Sequence, residues 1–159
     1  MISIEKNKLH NIDFTKIEHL VKHPKFNYSF NHKAEIVHFY HIFYFENKLV
    51  SPFAHVINPL IRPMKQRVHN AMLIVVPETS EKKCIFKKIV KPLEVHETLT
   101  GIYFINTNNG NFNLFNYGDI SAEQNKFFLY DSNLEVDNYS CTDEKFKTYL
   151  QIEFINDYN

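Results

Sequence analysis

The spacing of apolar residues divides the chain into a first part with helical signals and a longer part with strand signals. In residues 11–23, apolar side chains recur at three- and four-residue intervals, which predicts a short amphipathic helix. Ser51-Pro52, a helix cap followed by proline in the first turn, predicts a second helix that ends near Pro63. The aromatic and β-branched segment 26–45 lies between them and predicts one or two strands, with a turn at 46–48.

Beyond residue 66 the pattern predicts strands throughout. Thr107-Asn-Asn-Gly110 indicates a hairpin turn between two of them. Two facing antiparallel sheets, with one or two helices packed outside, are therefore expected. The predicted strands cover residues 67–76, 85–95, 100–106, 111–117, 125–130, 134–139 and 146–155. The residues predicted to lie in the core are Ile102, Phe104, Phe128, Tyr130 and Leu150.

Composition narrows the class of protein. Eighteen basic residues balance eighteen acidic ones, which argues against a dedicated nucleic-acid binder. There is no apolar run of about 20 residues and no secretory signal, and the two cysteines are too few for a disulfide framework. These features predict a soluble, intracellular protein of one domain. The lysine run between Lys82 and Lys91 is the only basic concentration, and we interpret it as a solvated sheet edge; contact with a polyanion is the alternative.

Four segments of the chain carry a resemblance to a known family. They are His41-Ile-Phe-Tyr with Ser51-Pro-Phe and Ile57-Asn-Pro-Leu-Ile, Arg67-Val-His-Asn-Ala-Met-Leu, Thr100-Gly-Ile-Tyr-Phe-Ile-Asn with the turn to Gly110, and residues 120–156. These segments resemble the small 2-oxoglutarate/Fe(II)-dependent oxygenases of the prolyl-hydroxylase type, especially the phage-encoded ones. The resemblance implies a mainly β (α+β) fold, the double-stranded β-helix or jelly roll, with N-terminal helices packed on one sheet. It also implies one domain over 1–159, with a helix-containing lead-in at 1–64 and a jelly-roll core at 65–157.

The sequence departs from that family at each position that would bind the metal. Active members carry His-x-Asp at the end of the second core strand and a distal His near the seventh strand, because three such ligands leave open coordination positions on Fe(II). No His-x-Asp or His-x-Glu occurs in the chain, residues 86–91 hold no acid or histidine, and Val136 matches the distal His. Lys147 lies near the position of the arginine that grips 2-oxoglutarate, and it offers only a point charge. We therefore expect no catalytic residues, no metal ligands and no cofactor.

Two groups of residues remain as candidates. Glu94 and His96 would share a strand face and form a weak alternative metal pair. The other interpretation is that His96 occupies a non-ligand position just before the Thr100 strand and that Glu94 lies on the surface. Arg67 and His69 would also share a face, and with Lys147 they are the predicted cofactor-binding residues of a vestigial lumen that could hold a small acid. A buried hydrogen-bonded role for Arg67 and His69 is the alternative.

The sequence thus predicts a catalytically degenerate 2-oxoglutarate/Fe(II) oxygenase-like protein that acts as a binding or structural module. The alternative is an active hydroxylase with displaced ligands, which would use Fe(II) and 2-oxoglutarate; a third reading is a binder that uses the vacated lumen. A protein partner or self-association is expected, through residues 39–45 or the C-terminal strand, with no nucleic acid and no membrane. The chain is rich in Lys, Asn, Ile, Phe and Tyr, whose codons are A+T-rich. Together with the resemblance, this composition suggests a viral or phage source, and hence the host cytoplasm or the virion.

Overall fold

The computed structural model describes residues 2–23, 26–31, 35–88 and 98–156, and twelve strands of this part form two antiparallel sheets. The strands are β1 (Ile2–Glu5), β2 (Ser29–Asn31), β3 (His38–Phe45), β4 (Lys48–Leu49), β5 (Arg67–Pro77), β6 (Cys84–Lys88), β7 (Thr98–Phe104), β8 (Asn108–Leu114), β9 (Gly118–Ala122), β10 (Phe127–Asp131), β11 (Val136–Tyr139) and β12 (Phe146–Ile155). The larger sheet has the order β1-β10-β7-β12-β5-β3-β2, with β4 paired to β3. The smaller sheet has the order β6-β11-β8-β9. The predicted jelly roll is confirmed.

The two predicted helical segments are present. Helix α1 spans Asn11–Val21 and buries its apolar face, with Phe14, Ile17 and Leu20 in the core against the larger sheet. After Ser51 the chain forms a 3₁₀ turn, Ala54–Ile57, which continues into the short helix α2, Asn58–Ile61. The Ser51 Oγ accepts a hydrogen bond from the Phe53 amide at 3.2 Å, but the residue that caps the 3₁₀ turn is Phe53, so the predicted Ser51 cap is wrong by two residues. In the described residues, no helix is long and apolar enough to cross a membrane.

The larger sheet has an apolar cluster on each of its faces. Leu150, Ile152 and Phe154 of β12 pack towards the helices, and Tyr149, which precedes Leu150, packs towards the smaller sheet. This alternation follows from the two-residue period of a strand, which sends successive side chains to opposite faces. All five residues predicted for the core are buried: Ile102, Phe104, Phe128, Tyr130 and Leu150.

The predicted hairpin turn at 107–110 is wrong. Residues 108–110 begin strand β8, which pairs with β9 and β11 in the smaller sheet, whereas β7 belongs to the larger sheet. The chain therefore crosses between sheets at 105–107 instead of folding back on itself. Gly110 of β8 lies close to the backbone of β11, because a Cβ at this position would lie 2.8 Å from the Tyr139 carbonyl oxygen. Pairing of β8 with β9 and β11 has overridden the local turn preference of Asn-Asn-Gly.

Asparagine occupies most of the left-handed backbone positions. Five non-glycine residues in the described part have positive φ, and four of them are Asn7, Asn47, Asn116 and Asn125. The fifth is Glu46, which forms the β3–β4 turn with Asn47, where the sequence predicts a turn. Asparagine tolerates this region better than other side chains, and the chain has only three glycines.

Candidate functional site

The space between the two sheets is lined on one side by alternate residues of β12. Lys147 contacts the smaller sheet, Tyr149 belongs to the apolar cluster between the sheets, and Gln151 and Glu153 line a cavity of about 340 Å³. The opposite wall of this cavity includes Val136 and other residues of the smaller sheet. We call this space the lumen, defined by the sheet faces that carry Tyr149 and Val136. It corresponds to the lumen predicted for a jelly roll.

Lys147 is the most unusual residue of the lumen because its side chain is fully buried. Its Nζ donates hydrogen bonds to the Asn138 Oδ1 and, at 2.8 Å, to the Tyr139 carbonyl oxygen. The Nζ also lies 4.4 Å from the centroid of the Phe112 ring and 5.5 Å from that of Tyr149. The amine is therefore held by amide, carbonyl and aromatic groups.

The surroundings of Lys147 disfavour its positive charge. Burial lowers the pKa of the Lys147 amine from 10.5 to about 7, and the charge of Lys82 lowers it further, against an opposing effect of Cys141. In the described part of the chain, no carboxylate forms an ion pair with the amine that would offset this loss of hydration. Both forms of the amine are therefore accessible near neutral pH.

A second hydrogen bond joins the two sheets beside Lys147. Asn138 Nδ2 donates to the Tyr149 hydroxyl oxygen at 2.8 Å, so both ends of the Asn138 amide are used within the protein. Burial raises the pKa of Tyr149, so its hydroxyl stays neutral. Sequence reasoning missed Asn138, Tyr149, Gln151 and Glu153. The two-residue alternation from Lys147 could have found the three on β12.

The described lumen residues do not fit an Fe(II) ion. Two residues of β11 line the cavity: Val136, which has no lone pair, and Asn138, whose amide oxygen is engaged by Lys147. Among the described residues, no three His, Cys, Asp or Glu side chains are grouped so that they could hold a metal. Lys147, eleven positions after Val136, is a potential cation close to Asn138 and would repel a metal placed there. The described residues of the lumen therefore do not supply the set of ligand atoms that an Fe(II) ion needs.

Glu94 and His96, the weak alternative metal pair, lie in residues 89–97, between β6 and β7, which are outside the described part of the chain. Lys91 lies in the same gap. Strand β6 is an edge of the smaller sheet, as predicted for the lysine-rich segment.

Arg67 and His69 do not join Lys147. On the β5–β12 ladder, Arg67 pairs with Ile155 and Val76 pairs with Lys147, so the two ends are eight residues apart, or roughly 26 Å. The His69 imidazole instead contacts the Asn47 Oδ1 at 3.2 Å, beside the β3–β4 turn.

Strict alternation along β5 would also place Ala71 on the face predicted for Arg67 and His69, and this is wrong. The β5–β12 register shifts between Glu153 and Phe154, and this irregularity puts Val68 and Ala71 in the same apolar cluster.

A larger groove, of about 700 Å³, lies on the other face of the larger sheet. Its walls include Glu18 of α1, Lys22 directly after α1 and the exposed Phe146 of β12. The groove holds no cluster of buried polar groups comparable to Asn138, Lys147 and Tyr149 in the described residues. We therefore regard the lumen as the candidate site.

The chain is similar to known proteins in its three-dimensional structure, whereas its sequence matches none of the families or curated proteins compared. Solved structures match over nearly the whole chain. An oxidoreductase of the 2OG-Fe(II) oxygenase family from Burkholderia pseudomallei has a TM-score of 0.72 and 8% identity, over 99% of this chain and 86% of that one.

Two further matches are prolyl hydroxylases. The enzyme from Trichoplax adhaerens, in complex with a hypoxia inducible factor peptide fragment, has a TM-score of 0.68 and 10% identity, over 98% of this chain and 83% of that one. The viral collagen prolyl hydroxylase of Paramecium Bursaria Chlorella virus-1 has a TM-score of 0.60 and 7% identity, over 99% of this chain and 90% of that one. With its two-sheet topology and its lumen, the chain has the fold of the prolyl hydroxylases and other 2-oxoglutarate/Fe(II) oxygenases.

Proposed function

We propose that this protein is a catalytically degenerate member of the 2-oxoglutarate/Fe(II) oxygenase fold, working as a single-domain binding or structural module. The observation that carries the proposal is the chemistry of β11, where Val136 and Asn138 line the lumen in place of a metal-binding histidine. Val136 is 2% exposed and packs in the apolar cluster between the sheets. A fold without its reactive centre can still present surfaces and a cavity.

Integration of the lead-in with the jelly roll supports a single domain. β1 pairs with β10 at one edge of the larger sheet, and β3 pairs with β5 further along it. Residues of the proposed lead-in, 1–64, thus complete the same sheet as residues of the proposed core, 65–157.

The second candidate is an active hydroxylase with displaced ligands. The solved structures with this fold include Fe(II)/2-oxoglutarate enzymes. Glu94 and His96 follow shortly after residues 86–91, where the resemblance places the first two ligands of that family. In this reading Lys147 would supply the positive charge for a carboxylate of 2-oxoglutarate. Its Nζ has two protein partners, Asn138 and Tyr139, and one remaining donor hydrogen.

Anaerobic calorimetry with Fe(II) and 2-oxoglutarate separates the two candidates. We expect no saturable heat from either, alone or together, and no succinate formed under oxygen. The matched controls are Glu94→Gln with His96→Ala, and Lys147→Met. Tight binding of both compounds that these substitutions abolish would overturn the proposal and establish the hydroxylase.

We propose in addition that the protein associates with itself or with a protein partner through strand β3. Phe43 is buried, but Tyr44 is half-buried and Phe45 is 52% exposed, because alternate side chains of one strand cannot all face the core. The C-terminal strand β12 is paired on both edges, so it has no free edge for another strand. A viral or phage source, with the host cytoplasm or the virion as the place of action, stays a prediction from the sequence.

Light scattering over a concentration series tests the association. We expect an oligomer that Tyr44→Ser weakens and that Tyr117→Ser, a change of an exposed tyrosine on the β8–β9 turn, does not. A monomer at all concentrations, with no partner bound in its native source, would contradict the proposal.

A further inference from the structure

The lumen cavity has the size and enclosure of a small-ligand site. Its volume of about 340 Å³ lies at the lower end of the range typical of ligand pockets. Its walls come from both sheets, so a ligand inside would contact strands that are far apart in the sequence. The buried hydrogen bonds around Lys147 close one part of the lumen, and the half-buried Gln151 and Glu153 line another.

The charged groups on the cavity wall favour a positive ligand. Glu153 is the one carboxylate among the described lining residues, and none of those residues is a lysine or arginine. One Glu153 oxygen, Oε2, accepts a hydrogen bond from Asn70 Nδ2 at 2.7 Å. In the described residues Glu153 forms no ion pair, so its charge lacks a cationic partner. A half-buried carboxylate in this position gains from a bound cation.

Aromatic rings complete the wall. Phe112, Tyr130 and Tyr149 all line the cavity, and the face of an aromatic ring attracts a cation. The Lys147 amine already lies close to two of these rings, Phe112 and Tyr149. The backbones of Lys147 and Glu153 are six residues apart on the same strand, roughly 20 Å, so the Lys147 amine opposes a cation at Glu153 only weakly.

We propose that the lumen binds a small organic cation, a primary ammonium or guanidinium compound, whose charged group pairs with Glu153. The Gln151 amide and the ring of Tyr130 line the same cavity and would contact the ligand next to its charged group. This inference rests on the proposed binding role and names the class of ligand for it. A small acid, which would seek Lys147 instead, is the competing outcome.

Three probes of equal chain length separate charge from shape: n-butylammonium, 1-butanol and butyrate, titrated at neutral pH with binding followed by NMR. We expect saturable binding of butylammonium and at least tenfold weaker binding of the other two. Glu153→Gln keeps the shape and the acceptor for Asn70, and we expect it to weaken butylammonium binding about tenfold or more, as loss of a charged hydrogen-bond partner does. Glu144→Gln, at an exposed carboxylate outside the cavity, should leave binding unchanged.

Each other result overturns the inference. Preferential binding of butyrate, lost in Lys147→Met, would make the lumen an anion site. Binding of butylammonium that Glu153→Gln does not weaken would place the cation elsewhere. Parallel titrations with Fe(II) and 2-oxoglutarate separate this inference from the proposed function. If no probe binds and no Fe(II) binds, the inference fails while the degenerate site stands, whereas Fe(II) binding would remove the basis of both.

Discussion

The buried amine of Lys147 makes the stability of this protein depend on pH in a defined window. Burial lowers its pKa from 10.5 to about 7 in the folded chain, while the unfolded chain keeps the ordinary value. A tenfold change in proton affinity corresponds to 1.36 kcal/mol, so charging the folded lysine costs about 5 kcal/mol. That cost is a sizeable part of the total stability of a typical domain.

The direction of this pH dependence follows from the number of protons bound in the folded and unfolded states. Between about pH 7 and pH 10.5, the unfolded chain holds the lysine proton and the folded chain does not, so stability rises with pH. Below about pH 7 both states are protonated and the lysine contributes no further pH dependence. The expected slope inside the window is at most about 1.4 kcal/mol per pH unit.

Urea unfolding of the wild type and of Lys147→Met measures this slope. Methionine keeps much of the volume and removes the titration, so the difference in unfolding free energy should change by about 2–3 kcal/mol between about pH 7 and pH 9, in favour of the wild type. The Cys141 thiol, whose pKa is raised by burial, titrates in both proteins and largely cancels. Lys145→Met, at an exposed lysine, is the control and should show no such change. A wild-type-minus-Lys147→Met difference that stays constant over this range would refute the reasoning.

Two further substitutions test the packing around the larger sheet. Gly101→Ala would place a Cβ 2.6 Å from a ring carbon of Phe127, and we expect a loss of about 1–3 kcal/mol in thermal or urea unfolding, because a packed core cannot absorb the added methyl group. Asn125 bonds the Leu9 amide and carbonyl and the Tyr103 hydroxyl, and it has a φ of 60°. Asn125→Gly keeps the backbone conformation and removes the bonds, so we expect it to cost about 2–4 kcal/mol; a loss below about 1 kcal/mol would show that these bonds contribute little.

Local patterns in the sequence determined most of the strands and the core. The two-residue alternation in β12 predicted the strand 146–155, whose bounds the structure reproduces, and the alternating apolar residues of β7 and β10 predicted buried side chains. Left-handed positions fell on asparagine because the chain has few glycines. These features depend on steric preferences of neighbouring residues, which a sequence carries directly.

Other features were decided by contacts between distant segments. Strand β1 has only four residues and was not predicted, because its partner β10 lies over a hundred residues away. The register shift in the β5–β12 ladder puts Ala71 in the same apolar cluster as Val68, which strict alternation does not predict. Lys147 lies on an ordinary strand pattern, yet its burial and its lowered pKa exist only because Asn138, Tyr139 and Phe112 of the other sheet close over it. Hydration, charge and cavity shape depend on all the atoms around a group, so only the tertiary structure could decide them.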